Sequence, residues 1–165
     1  MSTVQALEAF GAENRKLATG LAEKEGRVRV LVTFREPHHS DWYRDWIKAR
    51  GLRVNTSLIH VDDRTGWTLT SFDNSVPDIE EIVWNFGEGE GIFCAWATLD
   101  ASRLQELAAD PDVLIADVTS NIVLADLIYS GVVDEQGAES VQVIPRLSEL
   151  PIWPMLELGL HNFQR

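Results

Sequence analysis

Val28, Val30, Val32 and Phe34 occupy every second position of one short segment, with Arg29, Leu31 and Thr33 between them. That alternation predicts a strand with one strongly apolar face, which has to be buried against something else. Past the break at Pro37, Ser40 stands as an N-cap before Trp42, Tyr43, Trp46, Ile47 and Ala49, a wide apolar helix face. Asp41 and Asp45 sit near the positive end of that helix, and Gly51 stops it. Leu52 to Val61 then alternate again as a second strand.

The same order recurs later in the chain. Ile92 to Leu99 read as a strand, and Asp100 caps a helix carrying Leu104, Leu107 and Ala108. Leu99 and Leu104 are spaced as a hydrophobic staple around that cap. Asp110-Pro111-Asp112 ends the helix, and Val113 to Val118 form a further strand. Two such halves predict an α+β, ferredoxin-like domain: an antiparallel sheet of four or five strands, with the helices beginning near Ser40 and Asp100 packed on one face.

Three segments lie outside the two halves. Residues 1–26 carry Val4, Leu7, Phe10, Leu17 and Leu21 at helical spacing, weakened by Gly11 and Gly20. In residues 62–91, Asp62 to Gly66 form a turn and Trp67 to Phe72 pair back as a hairpin arm. Ile79, Ile82, Val83 and Phe86 then have helix spacing, and Gly87 to Gly91 make an acidic hinge. A second parse takes residues 28–98 alone as the ferredoxin-like unit and adds residues 100–118 as an extra helix and strand. The central domain is thus bounded at 27–121. Residues 122–165 form a C-terminal extension containing Pro145, Pro151 and Pro154.

Charge narrows the partners. Twenty-six acidic against fourteen basic side chains give a net charge of -12, which repels a phosphate backbone and leaves no basic stripe for nucleic acid. The lone Cys94 permits no internal disulfide. No stretch reaches the roughly 20 apolar residues of a membrane span, and the N-terminus lacks a secretory signal pattern, so a cytoplasmic protein is expected. The sequence contains no phosphate loop, nucleophile elbow or His-Glu-x-x-His pattern, so neither an enzyme nor a cofactor or metal is expected. His38 and His39, even with His60, fall short of a supported metal site and read as solvated loop residues.

The residues left to explain are aromatic and apolar. Trp42 and Trp46 belong to a helix core face, but Trp96 alternates with Ala95 and Ala97. It therefore shares the second sheet face with Cys94 and with Leu31 of the first strand. Left open, that face is an apolar patch of the kind that binds proteins. The alternative is that the N-terminal helix or the C-terminal tail covers it.

The run Ala97-Thr98-Leu99-Asp100, the leucine helix after it and Asp110-Pro111-Asp112-Val113 resemble the second half of the subtilisin propeptide, or peptidase inhibitor, family. The strand from Val28 to Glu36 and its aromatic helix are similar to the first half. The resemblance spans about residues 28–121, interrupted at 62–91. It departs from the family where Cys94-Ala95-Trp96 replaces the usual Gly-Phe. It implies a ferredoxin-like sandwich whose open sheet face packs on a subtilisin-like protease, with Asp117 where the family often carries an acid. It also implies that the chain after the last strand lies extended in the protease cleft, here as Ile122, Val123, Leu124 and Ala125. The residues after Asn121 are too few for a catalytic domain, so the expectation is a free-standing inhibitor. The alternative is an assembly or adaptor protein using the same face on a non-protease partner.

Overall fold

The computed structural model describes residues 3–60, 66–70 and 91–137. Helix α1 spans Thr3–Leu21, β1 Arg27–His38, α2 Ser40–Arg50 and β2 Arg53–His60. The hairpin arm β3 is Gly66–Thr70, followed by β4 at Gly91–Asp100. A single 3₁₀ turn, Ala101–Arg103, leads into α3 at Leu104–Ala108, and then come β5, Val113–Asp117, and α4, Thr119–Tyr129. The helix expected around Ile79 to Phe86 lies outside the described residues.

The strands form one sheet in the order β3-β2-β4-β1-β5, with each neighbouring pair antiparallel. Without the hairpin arm the order is β2-β4-β1-β5, which is the ferredoxin-like arrangement. It decides between the two parses: β4 lies in the middle of the sheet, beside β1, so it is the third strand of the unit. β5, on the far side of β1, is the fourth.

The alternating residues do what their spacing requires. Val28, Val30 and Val32 stand opposite Leu99, Ala97 and Ala95, so both central strands turn their apolar sets to one side. Tyr43, Trp46 and Ile47 of α2 and Leu104 and Leu107 of α3 close over that side to form the core. Leu104 and Leu107 are almost wholly removed from water, and truncating either to Ala would cost about 2–5 kcal/mol. Inside the core the Tyr43 hydroxyl meets the Ser57 hydroxyl at 2.9 Å, which satisfies both groups.

Local signals set most of the boundaries. The Asp100 carboxylate accepts from the Ser102 N–H at 3.0 Å, and Gly51, at φ 64°, closes α2. Two expectations need correction. Ser40 is the first buried residue of α2 rather than its cap; His39 takes the cap position without a side-chain bond. β1 also runs through Pro37 to His38, because its pairing with β4 is irregular between Thr33 and His38, where a missing N–H is tolerated.

Helix α1 packs beside β5. Its buried Gly11 lies against the Leu114 carbonyl and Ile115, and the Asn14 side chain accepts the Val118 N–H at 2.9 Å. An exposed sheet edge invites pairing with another chain, and α1 shields this one.

Candidate protein interface

The register brings the sheet-face residues together. Leu31 stands between Trp96 on β4 and Asp117 on β5, and Thr33 stands opposite Cys94. The face is not an open patch, however. Leu31, Cys94 and Asp117 are buried and only Trp96 is partly accessible. Burial pushes the Cys94 thiol well above its ordinary range, and a hydrogen bond with Thr33 offsets only part of that.

Asp117 is occupied locally. Its carboxylate accepts from the Thr119 N–H at 2.8 Å and from the Thr119 hydroxyl at 2.6 Å, which starts the turn into α4. That turn corrects the second expectation. Ile122 to Ala125 belong to a helix and are not extended. The physical reason lies at both ends of α4 and along one side of it. Gly131, at φ 74°, donates to the Ile128 carbonyl, and Val132 donates to Leu127, which together make a Schellman stop. Leu124, Leu127 and Ile128 are half-buried at spacings of three and four. The spacing and Gly131 were both readable signals, but the extended expectation followed from the family resemblance.

The outward side of α4 is apolar as well. Ile122 is 40% exposed, Val123 44% and Tyr129 96%, with Ala125 also exposed and Asp126 the one charged group on the helix. A helix at the surface of a soluble domain ordinarily turns charge outward. Here residues exposed to water are of the kind that protein interfaces bury.

An aromatic ladder that sequence reading saw only in part runs along α2. Phe34, His38, Trp42, Trp46 and Arg50 recur every four residues. The His38 ring stacks on Trp42 at 3.4 Å between centroids, Trp42 on Trp46 at 5.8 Å, and the Arg50 guanidinium lies 4.5 Å from the Trp46 ring. Arg50 also pairs with Asp110, whose second oxygen accepts the Asp112 N–H at 2.9 Å. His38 Nε2 and Trp46 Nε1 are buried without a hydrogen-bond partner among the described residues. His38 is therefore a packed side chain and not the solvated loop residue expected, whereas His39 is exposed.

Among the described residues no cluster of three or more His, Cys, Asp or Glu side chains is placed to hold a metal. No helix among them is long and apolar enough to cross a membrane. Compared with family models, curated proteins and solved structures, the chain matches none.

Proposed function

We propose that this chain is a non-enzymatic cytoplasmic domain that binds and regulates a subtilisin-like serine protease. The observation that carries the reading is the exposed apolar side of α4, which directly follows the last strand of a β2-β4-β1-β5 sheet. That sheet order agrees with the family resemblance of residues 28–121. The contact differs from the one the resemblance implies: Ile122, Val123 and Tyr129 meet the partner as side chains on a helix face, in the manner of a helix laid in a groove.

The helical state of Ile122 to Ala125 favours a second reading, an adaptor that presents the same face to a non-protease partner. Titration of a purified subtilisin-like protease with the full chain separates the two. Inhibition that rises with the amount of chain, together with binding to the protease whose nucleophilic serine is blocked, is the expected result. Binding and inhibition both absent would leave the adaptor reading.

A further inference from the structure

We propose that His38 is a proton-sensitive latch: as a neutral ring it closes the aromatic ladder over the corner between β1 and α2, and when protonated it leaves the stack. The inference is independent of the partner's identity.

The geometry leaves this imidazole no place for a second proton. His38 is 9% exposed, lies flat on Trp42 at 3.4 Å and meets the edge of Phe34 at 5.2 Å. With its proton on Nδ1, the neutral ring presents only a bare lone pair at the buried, unpartnered Nε2, a modest cost. Protonation adds an N–H donor at that atom and a full charge, with no hydrogen-bond partner among the described residues. Stacking on Trp42 returns part of the cost of that charge to an imidazolium. Burial of the charge is the larger effect and opposes protonation.

The surrounding charges give the released ring somewhere to go. Asp110 and Asp112, in the turn between α3 and β5, and Glu36 of β1 all favour the cation, yet burial outweighs them and holds the His38 pKa below the ordinary imidazole value. Arg50 of α2 is engaged with Asp110, and Arg35 of β1 donates to the Pro111 carbonyl at 3.0 Å. None of these described carboxylates hydrogen-bonds Nε2. The backbone at this corner is tight too: a Cβ on Gly91, the first residue of β4, would lie 2.6 Å from the His38 carbonyl oxygen.

The sign follows from proton uptake. The folded chain binds the His38 proton more weakly than the unfolded chain. The stabilisation is complete above the ordinary imidazole pKa of about 6.5 and is lost as the pH falls below it.

The test is an NMR titration of the full chain that follows the imidazole Cε1–H of His38 together with the Trp42 indole. His38 should titrate below the ordinary imidazole value, with the Trp42 resonances moving through the His38 midpoint. His38→Phe should retain the stack and abolish that movement. A His38 midpoint at or above the ordinary imidazole value of about 6.5, or a Trp42 signal that does not move through the His38 midpoint, would overturn the proposal. The wild-type titration decides even where His38→Phe folds poorly.

Discussion

The Asn121 side chain holds both main-chain groups of Arg29: its oxygen accepts the Arg29 N–H at 2.9 Å and its amide donates to the Arg29 carbonyl at 2.7 Å. β5 ends at Asp117, well short of the start of β1, so an amide side chain continues the ladder where the strand has turned into α4. The same amide donates to the Val118 carbonyl at 2.9 Å, which fixes the angle at which the helix leaves the sheet. Asn121→Ala should cost about 1–3 kcal/mol, the range for leaving such groups without their partners. Urea unfolding measures the loss, and exchange at the Arg29 amide should accelerate with it. An unchanged midpoint would mean that water replaces the bonds in full.

The sheet, α2 and the helix after Asp100 were legible because each carried a period and a stop: alternate valines, a Trp face ended by Gly51, and a leucine pair between Asp100 and Pro111. The candidate site was read less well. Alternation correctly assigned Leu31, Cys94 and Trp96 to one face, but the burial of a sheet face depends on contacts that no strand pattern encodes. Ile122 to Ala125 were expected to be extended because the family resemblance implies it, whereas an Asp117 turn and a Gly131 stop enclose them in a helix. The ladder from Phe34 to Arg50 crosses the boundary between a strand and a helix. A four-residue spacing is expected within a helix, and this one begins before the helix does.

Asp110→Ala removes the buried carboxylate beside Arg50 and the acceptor for the Asp112 N–H. Arg50 keeps some access to water, which places the cost near the lower end of the range for a broken buried pair, about 3 kcal/mol. Chemical denaturation gives the value. A loss under about 0.5 kcal/mol, the usual scale of a surface change, would show that the pair contributes nothing to the fold.

Cys94 should be inert in the native state. Its thiol is fully buried, and burial raises its pKa, so the thiolate that reacts is scarce. A disulfide-exchange reagent should titrate one thiol only after denaturant is added. Rapid native reaction would show that the second sheet face opens readily.

Gly91→Ala should be poorly tolerated, because Gly91 sits at φ 125° and its new methyl would press on the His38 backbone. A backbone conformation of this kind costs on the order of 1–3 kcal/mol for a residue with a side chain. A lower midpoint of thermal unfolding is the expected readout; an unchanged one would require the β1 and β4 ends to shift apart.

The central claim is that α4 binds through its outward face, and Val123→Asp addresses it most directly. Val123 is 44% exposed, so the change should leave the urea midpoint within about 0.5 kcal/mol of the parent. Against a purified subtilisin-like protease, the inhibition constant should rise by about 30-fold, the weight of one interface hot spot. Inhibition that is equally strong with Asp at this position would contradict the account.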